Sequence, residues 1–387
     1  MNTPIVKTIW HTAFLIGTFC CISFQINAQT SVTDSTDFAF LPAISFNSDL
    51  GLLAGGITSW YNYQGDLYPF YSYVTIAGII STKGLASFSL LYDKPQAFGK
   101  DLRLTTEVYT SRFFEDAYFG IANYSKITDT PTDLPLYYQF QSFTVGFRSN
   151  VRLPLIKTDS YKQLDANFIL NFRYETPWDN GNDRLIAQEQ PLGFNGGRTT
   201  MIGAGLIWEG RNSEFQPTSG NYLATRIEIG QNLWASSYNL VVLENDLRQY
   251  VTFNLLREVT FATRIFSRFT SGEVPYWKLS YAGDEETLRG YESRRFSDDH
   301  VLFLNTELRT WLFSIPNSNV RFGGTLFMDA GRTFAKNDAI NIILDDLKTT
   351  FGFGALASFF TPDFILRGDF GFSKEGLGVY FTTGFMF

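Results

Sequence analysis

The sequence predicts an all-β chain, a 16-stranded antiparallel transmembrane β-barrel over residues 39–387. Three observations predict it. Aromatics make up 17% of the 387 residues, with 39 Phe and 20 Tyr, while charged residues make up only 18%, low for a soluble domain. Beyond residue 30, no run of about 20 residues stays apolar and uncharged as a membrane helix requires. Instead, apolar and polar residues alternate over long segments. Ordinary strands run about 5–6 residues, whereas a tilted membrane strand needs about 9–11.

The first residues read as a separate leader, 1–28. Lys7 supplies a positive start, Ala13 to Ile26 are mostly apolar, and Ala28 precedes Gln29 as a cleavage residue. This is the pattern of a secretory signal peptide. Cys20 follows the bulky Phe19, a poor fit to lipoprotein cleavage. Both cysteines, Cys20 and Cys21, fall in the leader, so the mature chain is expected to hold no disulfide, thiolate site or cysteine nucleophile. A short Ser/Thr/Asp-rich segment, 29–38, links leader to barrel. The net charge of −7 argues against nucleic acid.

Strands are expected at 39–47, 51–63, 70–80, 84–93, 102–113, 138–152, 163–176 and 199–210. The second half continues at 220–231, 238–253, 257–270, 301–313, 320–332, 349–360, 364–374 and 378–387. The alternation is plain in several. Leu164, Ala166, Phe168, Leu170 and Phe172 share one face, and Asp165, Asn167, Asn171 and Arg173 the other, with Ile169 the exception. Leu302, Leu304 and Leu308 oppose Asn305, Glu307 and Arg309, while Phe322, Leu326 and Met328 oppose Arg321, Thr325 and Asp329. An even count suits a closed single-chain barrel. The long connections 114–137, 178–198, 271–300 and 333–348 then fall at one end. The turns at Pro217-Thr218-Ser219-Gly220, Pro316-Asn317-Ser318-Asn319 and Thr361-Pro362-Asp363 fall at the other.

The first strand carries Pro42, which cannot donate to a ladder and suits an edge. The last places Phe381, Phe385 and Phe387 at alternate positions, as a closing strand facing lipid would, and looks like the C-terminal assembly signal of outer-membrane proteins. Tyr61, Tyr63, Tyr68, Trp277 and Trp311 read as interface girdle or core.

The 271–300 connection is too long for a passive hairpin. Its charge run, from Asp284 to Asp299, reads by default as a solvated loop. Arg289 stands apart, because Leu288, Gly290 and Tyr291 flank it and suggest a packed tip. On this register Glu307, Arg309, Arg321 and Asp329 face inward on two adjacent strands, where a cationic tip would find carboxylates for bidentate pairing. Gly323 and Gly331 share that face and would leave room for the tip.

Here the chain resembles the BamA/TamA superfamily of outer-membrane assembly and translocation barrels, also called bacterial surface antigens. Leu288-Arg289-Gly290-Tyr291 is similar to its apolar-Arg-Gly-aromatic loop motif, and Phe327-Met328-Asp329-Ala330-Gly331 to its Phe-x-Asp-x-Gly strand. Asn305-Thr306-Glu307-Leu308-Arg309 resembles the strand that supplies a second carboxylate. Trp208-Glu209-Gly210-Arg211-Asn212 to Pro217-Thr218-Ser219-Gly220 resembles its Asp-x-Arg…Pro-x-x-Gly turn, with Glu209 in place of the aspartate. The resemblance implies a sixth outer loop folded into the lumen and locked by Arg289, Gly290 and Tyr291 against Asp329, Gly331 and Glu307. It also implies a seam between first and last strands that opens toward the bilayer. The chain reads as a barrel-only member, without the periplasmic POTRA domains by which members capture clients.

The function expected is therefore help with insertion or translocation of proteins or lipids at the bacterial outer membrane. The alternative is a passive pore or structural barrel. An enzyme is not expected: serine hydrolysis needs a histidine base, and the mature chain holds only His300, beside Asp298 and Asp299. One histidine and no cysteine also make a metal site unexpected. No cofactor is implied. The partners implied are outer-membrane lipid, outer-membrane protein clients, and a separate periplasmic partner or a second copy of the chain.

Overall fold

The computed structural model describes residues 35–387 except 65–69, 124–135, 160–161, 179–182, 317, 319, 339–343 and 360–363. The expected leader, residues 29–34 of the link, Tyr68 and the turn at Thr361-Pro362-Asp363 lie outside the described residues.

The strands run in order as β1 (Ser35–Asn47), β2 (Gly51–Tyr63), β3 (Ser72–Ser81), β4 (Leu85–Lys94), β5 (Arg103–Ala117) and β6 (Gln139–Asp159). Next come β7 (Lys162–Trp178), β8 (Gly197–Glu209), β9 (Gly220–Gly230), β10 (Leu240–Asn254) and β11 (Glu258–Gly272). After two short strands, β12 (Ser280–Ala282) and β13 (Phe296–Asp298), the chain ends with β14 (His300–Ser314), β15 (Arg321–Phe334), β16 (Lys348–Ser358), β17 (Ile365–Phe372) and β18 (Leu377–Thr383). All but β12 and β13 form one closed antiparallel barrel, each strand beside its neighbour in sequence, with β11 next to β14 and β1 next to β18. All sixteen expected strands are present.

The alternation resolves with the polar face inside. On β7, Asp165, Asn167 and Asn171 are buried while Phe168 and Leu170 are exposed. On β14 and β15, Asn305, Glu307, Arg309 and Asp329 are buried while Leu308, Leu326 and Met328 are exposed. A soluble sandwich would bury the opposite set. An apolar outside and a polar inside is what a barrel immersed in hydrocarbon requires, since backbone groups are satisfied around the ring and side chains facing lipid must be apolar. Ile169, the exception in its strand, is buried among the polar inner residues.

Several strand ends depart from expectation, β6 most, which runs on to Asp159 rather than 152; two departures bear on the seam. β1 begins at Ser35 rather than at 39 and pairs with β2 along its whole length, from Ser35 with Tyr63 to Asn47 with Gly51. Its other edge meets β18 through one residue pair only, Asn47 with Tyr380. Beside that pair, Ser48 N–H donates to the Val379 carbonyl (3.0 Å), the Val379 N–H donates to Ser48 Oγ (2.8 Å), and Ser45 Oγ bonds the Phe381 carbonyl.

β18 stops at Thr383 instead of running to the last residue. Gly384 takes φ +78°, in the left-handed region that favours glycine, and its N–H donates to the Ile365 carbonyl. The chain then turns inward. Phe381 faces out as expected, but Phe387 is buried against Tyr250 and Ala262, and its main-chain oxygen accepts from Arg309 Nη2 (2.9 Å). The Arg309 guanidinium also lies 4.2 Å from the Phe385 ring. Phe385 and Phe387 therefore serve a cationic inner site, not the lipid face. A buried arginine with one carboxylate partner gains from extra acceptors and aromatic faces.

The connections at one end are packed. Val274, Tyr276, Trp277 and Leu279 from the 273–299 connection form a cluster with Phe140, Met201, Leu240 and Val242 of the wall and Ile186 of the short helix Leu185–Glu189. Trp277 is thus core, one of the two roles expected of it.

Candidate functional site

The site is built on the 273–299 connection. β12 and β13 pair as a small hairpin, Ser280 with Asp298 to Ala282 with Phe296. That hairpin presents Thr287 to Tyr291 as its tip. Leu288 and Tyr291 pack with Ala282, Phe296, Val301 and Phe303. Two apolar side chains therefore anchor the tip on either side of the one cation that points into the carboxylates.

Arg289 is fully buried and spans three carboxylates. Its Nε and Nη2 donate to the two oxygens of Asp329, both at 2.9 Å, a side-on bidentate pair. Its Nη1 donates to Glu307 (2.6 Å) and to Asp369 (3.1 Å). The Phe327 ring lies 3.4 Å from the guanidinium centre, a cation–π contact closing one face. Asn305 Nδ2 donates both to Asp329 (2.9 Å) and to the Thr287 carbonyl (2.7 Å), so it holds the carboxylate and the tip together. Glu307 is shared, its other oxygen accepting from Arg309 Nε (2.8 Å). Asp369 likewise faces Arg367 Nε at 3.1 Å. The cluster thus holds three arginines and three carboxylates in alternation, the arrangement that makes buried charge tolerable.

The structure brings Arg289, Glu307 and Asp329 together as expected. Gly290 takes φ +99°, and its N–H donates to the Tyr380 hydroxyl (3.0 Å) of β18. The roles expected of Gly331 and Gly323 are corrected. A Cβ on Gly331 would meet Phe303 Cβ at 2.5 Å, and one on Gly323 the Thr310 carbonyl oxygen at 2.5 Å, so these glycines let the neighbouring strand β14 approach closely. Room for the tip comes from Gly371 instead, where a Cβ would lie 2.8 Å from the Arg289 carbonyl carbon. Arg321 faces inward but bonds Gln216 (3.1 Å) and stacks on Trp311, away from the tip.

The charged connection is also not the solvated loop that its composition suggests. Arg295 is buried and pairs with Glu375 (2.7 Å), and Arg264 of the wall donates to the Glu286 carbonyl (3.2 Å). The Asp284 carboxyl accepts from Thr287 (2.8 Å) and the Glu286 N–H (2.9 Å). Burial nevertheless pushes its carboxyl up to about 7. Asp49, in the turn after β1, is likewise raised to about 7 by burial and by Glu292. His300 has a structural setting: its Nδ1 accepts the Thr270 N–H (3.2 Å) and its ring packs on Phe334.

The turn at the opposite end holds the other quoted motif. Glu209 takes Arg211 through two bonds, 2.8 and 2.6 Å, so the longer carboxylate fills the aspartate's place. Gly220, at φ +96°, closes the turn against the Gly210 carbonyl.

A family model described as the Omp85 superfamily domain matches residues 72–387. The chain belongs to the Omp85 superfamily. This is the resemblance read from the loop and strand motifs, and it makes the protein a barrel of the bacterial outer membrane. Among solved structures, the Omp85 barrel is similar to BamA from Haemophilus ducreyi lacking POTRA domains 1–3, with 12% identity and TM-score 0.61, covering 91% of this chain and 70% of that one. It is also similar to CdiB from Acinetobacter baumannii (13% identity, TM-score 0.56, 91% and 65% covered). CdiB from Escherichia coli gives 13% identity and TM-score 0.61, with 90% and 62% covered. At these identities the likeness concerns the fold. No curated protein matches the chain.

Within this Omp85 barrel, sequence reasoning missed Asp369 and Gly371. Both lie on β17 in Arg367-Gly368-Asp369-Phe370-Gly371, where the inward positions alternate charge, charge and glycine. That parity, the same signal used for β14 and β15, was available.

Proposed function

We propose that this barrel assists the insertion or export of proteins at the bacterial outer membrane, with the seam between β1 and β18 as its working edge. The observation that carries the proposal is the asymmetry of β1, whose pairing is complete toward β2 and reduced to one residue pair toward β18. An unpaired strand edge is a template for another strand. Against hydrocarbon each unsatisfied backbone group costs several kcal/mol, so a guest strand that pairs there is stabilised by the same amount that the bare edge lacks.

The 273–299 connection occupies the lumen in this reading, locked by Arg289 on Asp329, Glu307 and Asp369. The connection also holds the seam: Gly290 at its tip donates to Tyr380 of β18, and Asn47 of β1 donates to Glu285 (2.6 Å). The lock thereby keeps both seam strands in register while leaving their lower edges open. A lumen filled this way disfavours a wide passive pore. The long connections lie on the outside, and clients reach the seam from the periplasm, alone or through a separate partner.

Extending the register from Asn47 and Tyr380 sets Ser45 opposite Thr382. A Ser45→Cys/Thr382→Cys pair, oxidised in liposomes, is expected to stop the barrel from accelerating the folding of an added outer-membrane client, and reduction is expected to restore it. Client folding that is indifferent to the cross-link would remove the seam from the mechanism. No acceleration by the reduced barrel would remove the insertase reading itself.

A further inference from the structure

A cavity of about 70 Å³ lies between β6–β11 and the base of the 273–299 connection. Its charged lining is Arg148, Arg226, Arg268 and Lys278 against Glu228 and Glu244. Four cations thus face two carboxylates, and the pairs are mostly loose. Arg148 lies 3.5 Å from Glu228, Arg226 Nε 3.7 Å from Glu228, and Arg268 Nε 3.7 Å from Glu244; only Arg226 with Glu244 is close. Asn171 already donates to Glu228 (3.2 Å). Arg268 spends its Nη1 on the main-chain carbonyls of Lys278 and Leu279, both at 2.9 Å.

Three donors are left over. Arg148 Nε and Arg226 Nε are buried with no hydrogen-bond acceptor. Lys278 Nζ makes no hydrogen bond or ion pair among the described residues. Leaving a buried donor unmade costs about 1–3 kcal/mol, and more for a charged group. One water needs about 10–15 Å³ of such space, so the cavity has room for a polyatomic guest.

We propose that this cavity is a binding site for a small oxoanion of the phosphate class. Excess positive charge, unmet guanidinium donors and an ammonium converge on one space. A tetrahedral oxoanion presents separate oxygens to donors spread around the cavity, whereas chloride presents a single centre, and guanidinium groups match the oxoanion through directed, paired bonds. Burial holds the Lys278 ammonium down to about 7, and an anion opposes that effect. The guest would join the wall strands to the connection's base, because Lys278 comes from the connection and Arg148 and Arg226 from β6 and β9.

The test is calorimetric titration of the refolded full chain in detergent with inorganic phosphate, at constant ionic strength made up with chloride. A second arm uses a soluble short-chain phosphatidate. Saturable one-to-one binding of phosphate, weakened tenfold or more in both Lys278→Gln and Arg148→Gln, supports a free oxoanion site. Binding of the phosphatidate alone, lost in the same variants, supports the same chemistry carried on a lipid. Heat-modifiable mobility on gels checks that each variant is folded. No saturable binding in either arm, or binding that both variants leave unchanged, overturns the proposal. Neither result bears on client folding at the seam.

Discussion

Gly290 and Gly371 meet backbone to backbone: a Cβ on Gly290 would lie 2.7 Å from the Gly371 carbonyl oxygen, and one on Gly371 2.8 Å from the Arg289 carbonyl carbon. The hairpin tip is seated on β17 at a distance that no side chain permits. A Gly371→Ala barrel is therefore expected to close with its tip displaced and Arg289 withdrawn from Asp329. Limited proteolysis would read this as new cleavage between Gly283 and Arg294. Gly78→Ala, where an added Cβ meets nothing within 4 Å, should leave the wild-type pattern.

Arg289→Ala should cost about 3–5 kcal/mol, because it leaves three carboxylates facing one another without their shared cation. Arg289→Lys should recover only part of that. A lysine restores the charge but cannot place two parallel donors on Asp329 while a third reaches Glu307 and Asp369. Urea unfolding midpoints in lipid vesicles would rank the three proteins. Equal midpoints for Lys and Arg would mean that charge alone holds the tip.

Asp329→Asn is expected to be worse than Asp369→Asn. Asp329 takes two guanidinium bonds, the Arg289 N–H (3.3 Å) and Asn305, whereas Asp369 takes one shared Nη1 bond and keeps Arg367 when Arg289 is gone. The same unfolding assay, run as a double-mutant cycle with Arg289→Ala, should give the larger coupling for Asp329.

Seating of the hairpin should weaken as pH rises. Asp284 and Asp49 have carboxyls raised to about 7 by burial, while an unseated carboxyl titrates near 4. The seated state therefore holds protons that the unseated state has lost. Its advantage is greatest below about pH 4, declines between 4 and 7, and is gone above 7. Protease cleavage of the 283–294 stretch should rise from pH 5 to pH 8, and Asp284→Asn should flatten the rise. A wild-type rate constant across that range would show that both carboxyls charge without cost where they sit.

The barrel was legible because its signal is long and redundant. Each strand repeats a period of two many times, so Asp165, Asn167 and Asn171 announce an inner face even with Ile169 among them. Arg289, Glu307 and Asp329 were legible through parity and through motifs that resemble a family. β12 and β13 were not, because three residues carry no period. The inward turn of the last residues hangs on Gly384 alone, and alternation at Phe381, Phe385 and Phe387 points the other way. Which glycine would receive the tip could not be read either, since Gly331 and Gly371 have the same parity and differ only in which neighbour leans over them.

The uneven pairing of β1 also gives the strand an isotopic signature. In a strand, successive amides point to opposite edges. Those of β1 that point to β2 sit in a full ladder, while those that point to β18 lack one from Ser35 to Phe46. Deuterium should therefore enter β1 at every second residue, fast beside slow, with Pro42 a silent position in the count. No other strand in the barrel should carry that odd–even rhythm along its length except β18, its counterpart across the gap.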